Sequence, residues 1–379
     1  MSARTSSGPG ILTRVFGSQW FVSVLAVLIA FVIGAVLIAL SGASVLDAYY
    51  AMFRGSIIDP NAATFVRQIK PLTDSLFYSI PLIISGLGLA LGFRAGLFNI
   101  GGKGQIIVGA LAAVWVGFAV SLPPVLHTLV ALLVAVIAGG LYAGIAGVLK
   151  AKTGANEVIV TIMLNSIATL GLGYVLAQKA WQVPGSNQPV TPKVADSAAL
   201  TRLLPAPFKL HVGFIVALVA LAFFWWLIER STLGFQIRAV GANAAAARTA
   251  GISVERITAI TMVLSGAFLG LAGANEALGT IGYVSRDVAG SIGFDAITVA
   301  LLGRNKTWGT FGAGLLFGAF KAGGYTMQAK GVPIDMILIL QSVIVLLIAA
   351  PALVRWLFRL PDVRALAAQT RKGNADEHK

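Results

Sequence analysis

Two carboxylates, Glu276 and Asp295, stand in otherwise apolar stretches of this chain, and four amides, Asn99, Gln105, Asn165 and Asn275, share such surroundings. Polar and ionisable groups in apolar runs are costly and are functional candidates by default. Glu276 lies in Leu-Ala-Gly-Ala-Asn-Glu-Ala-Leu-Gly (271–279) with Asn275 beside it, and Asn99 and Gln105 flank a break made by Gly96, Gly101, Gly102 and Gly104. Such groups can hydrogen-bond the hydroxyls of a polar solute in passing. The alternative is that they satisfy one another, or kinked backbone, between helices. They do not form a catalytic set, since no Ser/His, paired-Asp or His-Glu-x-x-His pattern falls on apposed apolar runs. The chain has no cysteine, and its three histidines, His127, His211 and His378, have no metal-ligand company. The stretch from Gly96 to Lys103 superficially resembles a phosphate-binding loop. That pattern needs four residues between Gly and Gly-Lys and then Ser or Thr; here five intervene, and Gly104 takes the hydroxyl position.

A second feature is polar and lies between two apolar runs. Residues 229–256 carry Glu229, Arg230, Arg238, Arg248 and Arg256, and at their centre Ala242–Ala250 is alanine-rich and flanked by Gly241 and Gly251. Alanine is the best helix former, and glycines can mark where a helix stops. A short helix over 242–250 is expected, with small side chains that admit close approach. It is shaped either to dock into another protein's groove or to lie along a membrane surface.

The elements that position these residues follow from composition. Of 379 residues, 57% are hydrophobic and only 11% charged, with a mean hydropathy of +0.87. A soluble domain carries about 25% charged residues, so this chain cannot cover a water-facing surface. Residues 15–46, 75–93 and 104–149 carry no charge, and about 20 apolar residues cross a bilayer core. The reading is therefore all-α: a polytopic membrane protein of about ten helices. The runs are 18–42, 75–93, 104–121, 126–149, 157–177, 212–228, 257–282, 289–303, 308–327 and 334–354. A membrane domain over 18–354 is then preceded by a segment 1–17 and followed by a basic tail 355–379. The longest connections are 178–211 on one side and 229–256 on the other. The apolar run near the N-terminus is too long for a signal peptide, so it reads as an uncleaved first span. The net charge of +14 does not point to nucleic acid, because the basic residues sit in short loops rather than one patch. Placing the N-terminus in the cytoplasm puts 18 of 28 Lys and Arg on that side, as the positive-inside rule requires. Both termini and 229–256 are then expected to be cytoplasmic.

The order of motifs resembles a known family. Gly-Leu-Phe-Asn-Ile-Gly (96–101) with Gly104-Gln105, Gly-Ala-Asn-Glu-Val-Ile-Val-Thr-Ile-Met-Leu-Asn (154–165), Gly-Phe-Asp-Ala-Ile (293–297) and Ala-Leu-Leu-Gly-Arg-Asn (300–305) look like the permeases of bacterial ATP-binding-cassette importers. The branch assigned to nucleosides and simple sugars is the most similar. Where that family often has proline after Arg-Asn, this chain has Lys306-Thr307-Trp308-Gly309. The resemblance implies a type II importer architecture: two permease subunits, identical or homologous, with two cytoplasmic ATPases and an extracytoplasmic solute-binding lipoprotein or periplasmic protein. It implies a place in the bacterial cytoplasmic (inner) membrane, and that ATP and Mg are bound by the partner ATPase, with no cofactor and no enzyme activity in this chain. The ATPase contact matches Ala239–Asn243, so Gly241, Ala242, Asn243, Ala244, Ala245, Arg248 and Gly251 are the expected coupling residues. The expected solute pathway holds Asn99, Gln105, Asn165, Asn275, Glu276 and Asp295. The competing expectation is a secondary transporter coupled to protons or sodium through Glu276 and Asp295.

Overall fold

The structure is a computed structural model that describes residues 19–186 and 188–329, with 331–333, 336, 338, 339, 342, 343, 346 and 347 beyond them. Residues 1–17 and 355–379 and most of the expected run 334–354 lie outside the described residues. The chain falls into two units: Met1–Ala51 with Met327–Lys379, and Met52–Thr326. Within the first, helix α1 (Gln19–Leu40) is apolar, and the Tyr49 hydroxyl donates to the Phe31 carbonyl with the two rings edge to face.

Helix α2 (Val45–Ser56) leads into the second unit, where the helices are α3 (Phe65–Arg94), α4 (Gly102–Ala119), α5 (Leu126–Thr153), α6 (Glu157–Ala177), α7 (Gly213–Arg230), α8 (Thr232–Ala242), α9 (Ala244–Thr249), α10 (Val254–Asn275), α11 (Ile292–Leu302) and α12 (Thr307–Gln328). Helix α10 runs on into a π-turn, Glu276–Ile281. Among the described residues six segments are long and apolar enough to cross a membrane: α3 to α7, and α10 with its π-turn. Helix α11, at 11 residues, is shorter than a span, and the expected run 308–327 is helical as α12.

Helix α3 corrects the expected run 75–93, beginning ten residues earlier. The run was bounded by charge, but Lys70 and Asp74 lie one turn apart and pair, so the helix continues through them. Thr64 caps its start by accepting from the Arg67 amide at 3.4 Å. From Ser75 to Gly92 most of α3 is buried, which makes it the central helix.

The core of this unit is built on backbone proximity. Helices α5 and α10 make the most extensive pairing, and a Cβ added to Gly139 would meet the Gly266 carbonyl oxygen at 2.5 Å and the Gly270 Cα at 2.6 Å. On α10, Gly270 also abuts Gly109 of α4, and Gly273 faces the Ile106 carbonyl. Lipid tails are as apolar as leucine, so membrane helices associate through packing, and small residues permit it.

Hydrogen bonds define two ends of the bundle. At one, the Lys150 ammonium meets Glu157 at 2.6 Å, and the Arg94 Nε donates to the Asn305 carbonyl at 2.7 Å. At the other, residues 191–200 bond across to Gly117, Leu278, Gly282 and Val284. His127 belongs there: its Nε2–H donates to the Val116 carbonyl at 3.0 Å and its Nδ1 accepts from Ser197 at 2.8 Å.

Candidate functional site

Three groups of residues carry candidate chemistry. The first is the break between α3 and α4. Helix α3 stops at Arg94, and seven residues of irregular backbone precede Gly102. Irregular backbone buried in a bundle must have its polar groups satisfied, and here it does. Asn99 is 1% exposed and fills all four of its bonding positions. Its Nδ2 donates to Gln105 Oε1 and to Ser265 Oγ, each at 3.0 Å, while its Oδ1 accepts from the Gly101 amide at 2.9 Å and from Gln105 Nε2 at 3.0 Å. Asn165 of α6 closes the other side, donating to the Ile100 carbonyl and accepting from the Gly104 amide, both at 2.8 Å. Thr161 accepts from the Ile100 amide at 3.2 Å, and Glu157 from Phe98 at 3.4 Å. The structure brings Asn99, Gln105 and Asn165 together as a stitch joining α4, α6 and α10.

The second group is the α8–α9 elbow. Ser231 caps α8 by accepting from the Gly234 amide at 2.9 Å, and Asn243 caps α9 by accepting from Ala246 at 3.0 Å. The expected helix over 242–250 is thus in two pieces, with its break at Asn243 rather than Gly241. The glycine is instead inside α8, turned so that a Cβ would run into the Arg94 carbonyl. Gly251 does end the element, with φ at +81°, a conformation that glycine alone adopts without strain. The elbow therefore rests its Gly241 on the start of the break. It leaves Ala242, Asn243, Ala244, Ala245, Arg248 and Gly251 exposed, with Arg248 paired to Glu255. Between α8 and α9 runs a groove of about 550 Å³ lined by Phe235, Ala239, Ala242, Ala246, Ala250 and Ile252 among others.

The third group lies on α10, its π-turn, α11 and α12, with Glu276, Asp295 and Lys321 half-buried. Asn275 is fully buried, and neither atom of its amide has a hydrogen-bond partner among the described residues. Glu276 opens the π-turn and accepts from the Thr280 hydroxyl. Asp295 on α11 accepts from Ser291 at 2.7 Å. Lys321 on α12 faces both carboxylates electrostatically. Sequence reasoning missed it, although the signal was present: a single lysine inside the apolar run 308–327 is as costly there as Asp295 is in its own run.

His211 is 1% exposed and packs edge to face on Phe77 with centroids 5.5 Å apart. The Gly213 amide donates to its Nδ1 at 3.1 Å, so the proton sits on Nε2. Burial pushes its pKa down to about 4. The unfolded imidazole protonates near 6.5, so the native state binds fewer protons between these values. Stability is then fully present above pH 6.5 and is lost as the pH falls towards 4, by up to about 3 kcal/mol. Thermal unfolding in detergent should show Tm dropping across that window, with a shallower drop in His211→Asn. Parallel pH profiles would refute the assignment.

A bundle of long apolar helices with a stitched break between α3 and α4, polar groups among the helices and an exposed elbow defines a polytopic all-α membrane protein of transporter type. The chain belongs to the branched-chain amino acid transport system / permease component family, whose model matches residues 72–349. It is 39% identical to the guanosine ABC transporter permease protein NupP of Bacillus subtilis, over 89% of this chain and 95% of that one. It is 35% identical to the glucose ABC transporter permease protein TsgB13 of Haloferax volcanii, over 85% of each. A nucleoside ABC transporter permease protein of Lactococcus lactis, NupB, is 30% identical over 92% of this chain and 94% of its own length. No solved structure matches the chain.

Proposed function

We propose that this chain is the membrane-spanning subunit of an ATP-binding-cassette importer that carries nucleosides or related simple sugars into the cell. The observation that carries the reading is the α8–α9 elbow, which is exposed on one face and seated through Gly241 on the break in the central helix pair. An ATPase gripping the elbow would move the end of α3 and the start of α4 together. The groove between α8 and α9 and the small side chains of Ala244 and Ala245 suit a closely fitting partner, with ATP and Mg held by that partner and none by this chain. The face bearing Lys150, Arg238, Arg248 and Arg304 is then cytoplasmic, as the positive-inside rule favours. A second permease subunit and an extracytoplasmic solute-binding protein complete the importer, as the family's type II arrangement implies.

In this reading Asn275, Glu276 and Asp295, together with Lys321, border the solute pathway. Asn99, Gln105 and Asn165 have spent their hydrogen bonds on the break and act as its mechanical tie. An ion-coupled carrier using Glu276 and Asp295 would work without an ATPase. Proteoliposomes separate the two. Uptake of labelled guanosine, uridine or glucose should require the partner ATPase, internal ATP and the binding protein. Uptake by this chain alone under a proton or sodium gradient would overturn the importer reading.

A further inference from the structure

At the end of the bundle opposite the elbow, a cavity of about 430 Å³ opens between α3, α12, the α2–α3 connection and Lys209. That volume falls within the range of small-molecule sites, roughly 300–1,000 Å³. Its lining carries the charged residues Arg54, Asp59, Arg67, Lys70, Asp74 and Lys209, and the Asp74 side chain is 17% exposed. One carboxylate oxygen pairs with Lys70, while the other, Oδ1, is buried with no hydrogen-bond partner among the described residues. Leaving a buried charged acceptor unmatched is costly, so this oxygen suits a donor brought in from outside. One turn further along α3, Tyr78 lies against Tyr325 of α12, with ring centroids 5.4 Å apart and planes tilted by 39°. Tyr325 is 46% exposed. The pair offers an aromatic surface beside the carboxylate.

We propose that this cavity is a transit site for a neutral solute that joins a planar ring to a pair of vicinal hydroxyls, that is, a ribonucleoside rather than a simple sugar. Both ribose hydroxyls donate to Asp74, and the base lies on the Tyr78–Tyr325 surface. A phosphate gains nothing at Asp74, because the buried acceptor is itself an anion, and the lining cations without a carboxylate partner among the described residues, Arg67 and Lys209, are exposed. The inference rests on the permease reading, from which it takes a solute passing through this chain.

The test is equilibrium binding of radiolabelled guanosine, 2′,3′-dideoxyguanosine, ribose and guanosine monophosphate to the assembled transporter in nanodiscs, without the binding protein. Guanosine should bind, and the other three should bind at least about ten-fold more weakly. Asp74→Asn should remove most of the preference for guanosine over its dideoxy analogue. Tyr325→Ala, at an exposed position that does not threaten the fold, should weaken both by a similar factor. Ribose binding as tightly as guanosine, an unchanged preference in Asp74→Asn, or no effect of Tyr325→Ala would each overturn the proposal. ATP-driven uptake by the wild-type assembly with its binding protein keeps the two readings apart. A transporter that imports nucleoside yet binds none here refutes the cavity assignment alone, and one without ATP-driven uptake refutes the permease reading itself.

Discussion

Gly241→Val should leave ATP hydrolysis by the assembled transporter running while solute uptake falls by about an order of magnitude or more. The reason is steric. A Cβ at this position would run into the Arg94 carbonyl, at the point where α3 ends and the irregular backbone begins. The elbow must then lift, and Arg94 is held in place by its own bond to the Asn305 carbonyl. Forcing extra atoms into a packed contact costs about 1–3 kcal/mol, enough to shift the elbow without unfolding the bundle. Ala244→Leu makes the instructive comparison, because Ala244 is exposed. That variant should keep the wild-type Tm and fail at ATPase assembly. Loss of docking thus separates from loss of transmission: Ala244→Leu reduces co-purification with the ATPase, whereas Gly241→Val preserves it. Normal uptake in both variants would refute the role given to the elbow.

Removing the cation inside the bundle should be at least as damaging. In Lys321→Met, Glu276 and Asp295 lose the positive charge that both of them face. An uncompensated charge at membrane depth costs on the order of 2.5–3.5 kcal/mol, so thermal stability in detergent should drop clearly and uptake should be lost with it. The decisive variant restores balance. Adding Glu276→Gln and Asp295→Asn to Lys321→Met should recover much of the lost stability, since the penalty came from unmatched charge rather than missing atoms. Uptake should stay low, because the polar lining is gone. A single Lys321→Met variant as stable as wild type would show that the three groups do not compensate one another.

The sequence made the long helices legible where apolar runs were clean, as in 126–149 and 157–177, which fall within α5 and α6. Its charge-bounded logic failed at α3, because a one-turn Lys70–Asp74 pair is a charge that a helix tolerates. The elbow was half legible. Gly251 stops it as glycines do, but Gly241 serves proximity rather than termination, and nothing in a single chain of letters distinguishes those uses. Polar residues in apolar runs pointed correctly to unusual places without saying what each does there. Asn99 looks the same in sequence as Asn275, yet the side chain of one makes four hydrogen bonds and that of the other makes none among the described residues. Three of those bonds join Asn99 to Gly101 and Gln105, two and six positions away, and the fourth to Ser265, 166 positions away in the chain, which reaches it only after folding.

The glycine contacts between α5 and α10 carry a mechanical consequence. Where backbone rests on backbone there is no side chain to change rotamer and take up a displacement, so α4, α5 and α10 behave as a keel. Whatever rocks during a transport cycle must therefore pivot outside these three helices.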